Sequence, residues 1–117
     1  MYAAFARGDV AAIAAACSED TVWETVGTPG AFPTFGKWTG RRSVGEFFAA
    51  LVSAAEIKEF SVKGMYASGD KVFVEGHEAM VIKATGKATD SDWLHIFTFK
   101  DGLVTGFREF YDTAQFV

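Results

Sequence analysis

The residue best suited to chemistry lies in the alternating run DSDWLHIFTFKDG, residues 90–102. His95 is two positions from Trp93 and two from Phe97, so on an extended strand the three side chains share one face. An imidazole titrates near neutral pH and can act as a general acid or base. A histidine among aromatic residues can equally be a core residue bonded to a neighbouring acid, so the run alone leaves both interpretations open.

The segments that must position His95 change in type along the chain. The Ala-rich start, interrupted at Gly8-Asp9, predicts two short helices, because glycine ends helices and aspartate caps them. The first has fewer than two turns, so we expect the natural protein to extend before Met1. A third helix is predicted from Ser43, which would form a capping box with Glu46. Its apolar stripe consists of Val44, Phe47, Phe48, Leu51 and Val52.

The other segments predict strands. Residues 21–26 form a short β-branched strand that precedes a loop rich in Gly and Pro. The turn sequences SGD, TGKATD and DG separate four longer strands of an antiparallel meander, at 59–67, 71–84, 91–100 and 103–111. Gly76 and Gly106, inside two of these strands, are candidate bulges. Helices grouped before strands predict an α+β fold, with three helices packed on one face of a strongly bent antiparallel sheet.

The composition limits the class of protein. The chain has 117 residues, enough for one domain around a single core, and we assign residues 1–117 to that domain. Half of the residues are hydrophobic and 12 are Phe, which argues against disorder. The net charge is -4 and the basic residues form no stripe, which argues against nucleic acid as a partner.

Cysteine usage and hydropathy bear on the compartment. Cys17 is the single cysteine, which excludes an internal disulfide and a cysteine-based zinc site, and we expect it to be a small buried side chain at the end of the second helix. No apolar run approaches the ~18 residues of a membrane span, and the N-terminus does not read as a secretory signal. We therefore expect a cytoplasmic protein with no membrane partner.

Three short motifs carry a resemblance that covers essentially the whole chain. They are F-x-x-G-D at Phe5–Asp9, W-x-H-x-F at Trp93–Phe97 and D-G-x-[IV] at Asp101–Val104. With the order of elements, they resemble the nuclear transport factor 2 (NTF2) superfamily and best fit its SnoaL-like branch, alongside ketosteroid isomerases and limonene epoxide hydrolase. The resemblance implies a cone-shaped roll whose bent sheet encloses a hydrophobic pocket.

The resemblance also implies which side chains line the cone. It places Glu24, Glu78 and Glu109 on the inner surface with His95, and Trp38 at the mouth or lid. Desolvation of a carboxyl raises its pKa toward the range where it can both take and give a proton. The expected substrate-binding residues are Glu78, Trp93, Phe97, Phe107, Tyr111, Met80 and Trp38.

Related enzymes suggest roles for the polar residues. The base of ketosteroid isomerases is matched by Glu24 and their protonated acid by His95, while the partner tyrosine of the first helix would fall at Met1 and is therefore expected to be absent. The acids on the last strand of SnoaL cyclases and of limonene epoxide hydrolase are matched by Glu109. The Arg-x-Asp pair of the hydrolase is matched by Gly76 and Glu78, so the Arg is missing.

The function expected from these matches is cofactor-independent general acid/base chemistry of the isomerase or cyclase type on a small hydrophobic molecule. His95 would work with Glu109 or Glu24, and dispersed acids around one inward histidine do not make a metal site. One alternative is a non-catalytic domain for ligand binding or dimerisation, and another is an epoxide-hydrolase-like enzyme. We also expect a homodimer through the outer sheet face, where Phe73, Val81, Leu94 and Ile96 form an apolar patch.

Overall fold

A computed structural model describes residues 1–116 of the chain, and these form three helices, six strands and a terminal 3-10 turn. The helices are α1 (Tyr2–Ala6), α2 (Val10–Ala15) and α3 (Arg41–Ala54), and the turn is Thr113–Phe116. The strands are β1 (Cys17–Thr25), β2 (Gly36–Thr39), β3 (Ala55–Ser68), β4 (Lys71–Ile82), β5 (Ala88–Lys100) and β6 (Leu103–Tyr111). Within residues 1–116, no helix has the length and hydropathy to cross a lipid bilayer.

One mixed sheet contains all six strands, in the order β2-β1-β6-β5-β4-β3. Strands β3 to β6 form the expected antiparallel meander, whose last hairpin turns at Asp101 and Gly102, both with positive φ. Strand β1 pairs with β6 in parallel, so the sheet is not purely antiparallel. Its edges, β2 and β3, are not paired with each other within residues 1–116. The α+β class with three helices on a bent sheet is confirmed.

The helices cover one face of the sheet through aromatic packing. Val44, Phe47 and Phe48 of α3 are buried in the main core with Trp23, as the stripe predicted, whereas Val52 is 64% exposed. The Gly8-Asp9 corner is confirmed, because the Asp9 carboxylate accepts a hydrogen bond from the Ala12 N–H at 3.1 Å. Ala4 of α1 and Ile13 of α2 are buried in the same core, so both helices lie over the inner face of the sheet.

Two local predictions were wrong for reasons of tertiary structure. The third helix begins at Arg41, so Ser43 lies inside its first turn and does not cap it. Gly40, the residue before this helix, is hydrogen-bonded to β1, since its N–H donates to the Thr21 carbonyl at 2.7 Å. Cys17 is the first residue of β1 rather than the end of a helix, and its carbonyl accepts hydrogen bonds from the Arg41 guanidinium.

The Gly and Pro-rich segment contains a strand that was predicted as loop. Strand β2 is only four residues long and is recognisable by its pairing with β1, where Trp38 lies opposite Trp23. Pairing with a strand distant in sequence is hardly visible in the residue pattern of the short strand itself. The strand extends the sheet beyond β1 and packs against α3.

Irregularities in the register adjoin both candidate bulge glycines. Pairing between β3 and β4 shifts opposite Gly76, and pairing between β5 and β6 shifts beside Gly106. Gly76 has a further role, because a Cβ there would overlap Cζ2 of Trp93 and the Ser61 carbonyl oxygen. The indole of Trp93 therefore lies directly on the backbone of β4, which only glycine permits.

Candidate active site

A partly enclosed cavity lies between the helices and the inner faces of β4, β5 and β6. Its volume is about 70 Å³, in the measure in which one water needs roughly 10–15 Å³. Most of its wall is aromatic or aliphatic, and no Lys or Arg of residues 1–116 contributes to it. Besides the tyrosines, the titratable side chains on the wall are those of Glu78, His95 and Glu109.

A chain of hydrogen bonds runs along one side of the cavity. The Tyr2 hydroxyl lies 2.7 Å from Nδ1 of His95, and Nε2 of His95 lies 3.2 Å from Oε2 of Glu109. The Thr25 hydroxyl donates to Oε1 of Glu109 at 2.6 Å. An ionised Glu109 only accepts hydrogen bonds, so Nε2 of His95 carries a proton; Nδ1 can then accept from the Tyr2 hydroxyl. The chain thus joins α1, β5, β6 and β1.

Strand register brings these groups together. His95 lies directly opposite Glu109 in the antiparallel pair of β5 and β6, and Thr25 lies opposite Glu109 in the parallel pair of β1 and β6. Trp93 stacks on the His95 ring, with centroids 4.0 Å apart, and the Tyr2 ring lies parallel to it at 5.9 Å. The His95 side chain is 7% exposed and that of Glu109 is 14% exposed. The pair is therefore fixed in place and largely shielded from water.

The position of Tyr2 corrects one prediction. A tyrosine on the first helix was expected to be absent because its matched position falls at Met1, yet Tyr2 contacts His95. Helix α1 has five residues, and its packing on the sheet decides which of them faces His95. Burial raises the pKa of the Tyr2 hydroxyl above its ordinary value, and the charge of Glu109 adds to this effect. Tyr2 is therefore a neutral hydroxyl at physiological pH.

Glu78 faces the same cavity from β4 in a different environment. Only 8% of it is exposed, and its Oε1 has no hydrogen-bond partner among residues 1–116. Burial, and secondly the charge of Glu109, raise its pKa to about 8, while the charge of His77 acts weakly in the opposite direction. Glu78 is therefore predominantly protonated at neutral pH, whereas Glu109 has the hydrogen-bond donors that suit an ionised carboxylate.

The structure does not bring Glu24 into this site, so its predicted inward orientation was wrong. Its Oε1 accepts a hydrogen bond from Nε of Arg108 at 2.9 Å on the outer face of the sheet. Trp23 and Thr25 point inward instead and are 3% and 1% exposed. The parallel register pairs Trp23 with Phe107 and Thr25 with Glu109, and both of these β6 residues line the cavity. Burying an indole also releases more apolar surface from water than burying a carboxylate.

The predicted binding residues fall into two groups. Met80, Phe97, Phe107 and Tyr111 lie on the cavity wall with Glu78. Trp93 lies behind His95 rather than on the wall, and Trp38 packs against Phe47 while its indole N–H donates to the Thr34 carbonyl at 3.0 Å. The expected place of Trp38 at the mouth was therefore wrong, because β2 holds it against α3.

Sequence reasoning missed three residues that matter here: Tyr2, Thr25 and Phe60. Alternation from a correctly placed Trp23 would have identified Thr25, and alternation within β3 leads to Phe60, which stacks on Trp93 with centroids 4.9 Å apart. Within residues 1–116, no three His, Cys, Asp or Glu side chains are grouped so that they could hold a metal ion. The groups present are suited to moving protons: a carboxyl group with two hydrogen-bond partners, a histidine bonded to it and a buried carboxyl group whose pKa is raised.

Comparisons with known proteins agree with the fold. A family model for the SnoaL-like domain matches residues 1–107. An NTF2-like protein from Burkholderia xenovorans LB400 superposes with a TM-score of 0.87 at 27% sequence identity, over 98% of this chain and 86% of that chain. TerC, co-crystallised with polyporic acid, gives a TM-score of 0.85 at 24% identity over 98% and 88% of the two chains. A protein named as a proposed SnoaL-like polyketide cyclase from Mesorhizobium loti gives 0.80 at 22% identity over 94% and 92%.

Proposed function

Because this chain belongs to the SnoaL-like domain family, we propose that its cavity is the active site of a cofactor-independent enzyme that transfers protons on a small apolar substrate. The observation that supports the proposal is the buried contact of His95 with Glu109 inside an aromatic cavity. The reaction class is removal of a proton from a carbon next to a carbonyl group, the first step of both isomerase and cyclase chemistry.

Glu109 is the base in this proposal. Its carboxylate takes the proton, and the electron pair of the broken C–H bond moves toward the carbonyl oxygen, giving an enolate. Where a C=C bond adjoins the enolate, return of the proton to its far carbon completes an isomerisation. In a cyclisation the enolate carbon attacks a second carbonyl group, the electron pair of that C=O bond moves to its oxygen, and this oxygen takes the proton from Glu109. Thr25 and His95 hold the two carboxylate oxygens in place, so the base needs no reorientation during the step.

The size of the cavity limits the substrate. A volume of about 70 Å³ corresponds to roughly five to seven water molecules in this measure. A single aromatic ring with a small substituent suits that volume better than a steroid does. The aromatic wall favours a planar apolar body, and the polar groups at one side select its orientation.

Deuterium exchange into acetophenone tests this proposal. The protein is incubated with acetophenone in D₂O, and loss of the methyl signal is followed by proton NMR. We expect exchange above the rate in buffer, and we expect Glu109→Gln to lower the protein-dependent rate by roughly 10²–10⁴-fold. Glu75→Gln is the matched control, because Glu75 is exposed and accepts a hydrogen bond from Tyr66 at 2.9 Å.

Two outcomes contradict the proposal. Exchange that survives Glu109→Gln would exclude Glu109 as the base. Binding of acetophenone without protein-dependent exchange would favour the alternative of a non-catalytic ligand-binding domain.

We also propose that the outer face of the sheet forms a homodimer. Leu94 and Val22 are 38% and 37% exposed there, and Phe73, Val81 and Ile96 are half-buried in the single chain. An apolar surface of this kind is stabilised when a second copy covers it. Ile96→Glu should convert a dimer into a monomer in sedimentation experiments while acetophenone binding is retained. A wild-type monomer at micromolar concentration would contradict the proposal.

The expected cytoplasmic location stays a prediction.

A further inference from the structure

The cavity contains two carboxyl groups in unlike surroundings. Both oxygens of Glu109 have donors, the Thr25 hydroxyl at 2.6 Å and Nε2 of His95 at 3.2 Å. Glu78 is only 8% exposed, and its Oε1 meets no donor among residues 1–116. A buried carboxylate without donors is costly, whereas a buried carboxylic acid is tolerated and offers a hydrogen to a ligand.

We propose that Glu78 is the acid of this site, and that its proton makes the cavity selective for a small neutral ligand with a carbonyl oxygen. This inference rests on the proposed function, to which it adds the second catalytic group and the ligand class. Glu109 is the base and Glu78 the acid because their surroundings favour opposite proton states.

Each proton that one group releases is taken up by another. Glu109 takes a proton from the carbon, the C–H electron pair becomes part of a C=C bond, and the carbonyl oxygen accepts the proton of Glu78, giving a neutral enol. Glu109 then returns its proton to carbon and the enol oxygen returns its proton to Glu78. No oxidant, metal or co-substrate enters this sequence.

The groups around Glu78 support its assignment as the acid and that of Glu109 as the base. The titratable side chains that share the cavity with it are those of Glu109 and Tyr111 from β6, His95 from β5 and Tyr2 from α1. Helix α3 and strand β3 contribute Phe47, Phe48, Leu51, Ile57 and Phe60 to the wall. Burial raises the pKa of both tyrosines, with the Glu109 charge as the second cause, so both remain neutral donors alongside the acid.

The same charges exclude anionic ligands. Glu109 places a negative charge in the cavity, and no Lys or Arg of residues 1–116 lies on its wall to balance a second one. A ligand carboxylate would therefore meet repulsion in a poorly solvated space. A neutral carbonyl oxygen meets the Glu78 acid instead.

The test compares acetophenone with benzoate, which has nearly the same shape and carries a negative charge. Isothermal titration calorimetry measures the binding of each to wild-type protein from about pH 7 to about pH 10, a range that spans ionisation of Glu78. We expect acetophenone to bind on the order of tenfold more weakly at the alkaline end, and benzoate to bind at least about tenfold more weakly than acetophenone at neutral pH.

Glu78→Gln keeps the shape of the side chain and removes its ability to ionise. Its amide N–H can donate to the same carbonyl oxygen but does not ionise, so acetophenone affinity should stay within about threefold of wild type at neutral pH and become independent of pH. Glu75→Gln should keep the wild-type pH profile.

Several results would overturn the inference: equal affinity for benzoate and acetophenone, wild-type acetophenone affinity that does not change with pH, or no binding of acetophenone at any pH. The wild-type comparisons do not depend on how well the variant folds. Because binding is measured rather than turnover, a failure of the proposed exchange reaction leaves this test decisive.

Discussion

The two histidines of this protein lie on neighbouring strands, and each uses both ring nitrogens. His95 on β5 contacts the Tyr2 hydroxyl and the Glu109 carboxylate, and its side chain is 7% exposed. His77 on β4 lies on the outer face with Asp90 and Asp92, each at 2.8 Å. Its side chain is 25% exposed, and those of the two aspartates are 73% and 93% exposed.

The difference shows that a contact between a histidine and an acid does not by itself make a catalytic site. The hydrogen bond to Asp92 raises the pKa of His77, with smaller contributions from nearby acidic charges, while burial acts in the opposite direction. This favours a charged imidazolium that joins β4 to β5 and has no free nitrogen. His95 contacts one carboxylate and one neutral hydroxyl inside a cavity, an arrangement in which a proton can be held next to a ligand.

Gly76→Ala should be the most destabilising substitution, because Gly76 lies on the inner face of the sheet beneath Trp93 and His95. The added methyl group would overlap the Trp93 indole and the Ser61 carbonyl, so Trp93 and the His95 ring stacked on it must shift. We expect a loss of about 3 kcal/mol in the free energy of unfolding, measured in urea. At Gly45 in α3, an added Cβ meets no atom of the described residues within 4 Å, so Gly45→Ala should be neutral or stabilising. Equal effects of the two substitutions would contradict this account.

Glu78→Gln should alter stability in a way that depends on pH. The folded-state pKa of Glu78 is raised from 4.5 to about 8. The contribution of Glu78 to stability is therefore fully present below the unfolded-state pKa, where Glu78 is protonated in both states, and it is lost as the pH rises through about 8. At roughly 1.4 kcal/mol per pH unit, the loss is at most about 5 kcal/mol. Glutamine does not ionise, so the variant should exceed wild type by a few kcal/mol near pH 9, with little or no gain near pH 4. Urea unfolding across this range measures the difference, and a gain that does not vary with pH would contradict the raised pKa.

Tyr2→Phe and Tyr66→Phe compare a largely buried hydroxyl with an exposed one. Loss of the Tyr2 hydroxyl leaves Nδ1 of His95 without its partner and should cost about 1–2 kcal/mol of unfolding free energy. It should also slow acetophenone exchange on the order of tenfold, because the His95 ring loses its fixed orientation. Tyr66→Phe removes an exposed hydroxyl that donates to Glu75, and it should leave both quantities unchanged. If Tyr2→Phe behaves like Tyr66→Phe, the Tyr2 contact does not position His95.

His77→Ala should have the smallest effect on stability, because His77 lies on the outer face of the sheet between exposed aspartates. A histidine whose folded-state pKa is raised stabilises the protein below its unfolded-state pKa, and the contribution is lost as the pH rises through the folded-state value. The variant should therefore be slightly less stable than wild type in mildly acidic solution and indistinguishable from it in alkaline solution. Thermal unfolding at several pH values measures this, and a loss of exchange activity in the variant would remove the distinction between the two histidines.

Local patterns predicted much of this molecule. The turn sequences identified the four-strand meander. The family resemblance, together with alternation along each strand, placed Glu78, His95 and Glu109 on the inner face, where the structure has them. These strands are joined by short hairpins, so the register follows from neighbouring residues.

The errors occurred where distant contacts decide the structure. Strand β2 depends on pairing with β1, and the face of Glu24 depends on the parallel register of β1 with β6. The contact of Tyr2 depends on how a five-residue helix packs against the sheet. None of these is determined by the residues adjacent in sequence, and Tyr2 and Thr25 complete the hydrogen bonds of the candidate site.

We infer that His95 holds one proton on Nε2, directed at Glu109, and receives a hydrogen bond from Tyr2 on Nδ1. Nitrogen-15 NMR of labelled histidine at about pH 8 tests this directly, because protonated and unprotonated ring nitrogens differ in chemical shift. We predict a single Nε2–H form for His95 in wild type and Tyr66→Phe, and a mixture of the two neutral forms in Tyr2→Phe. A proton on Nδ1, or a mixture already present in wild type, would contradict the account.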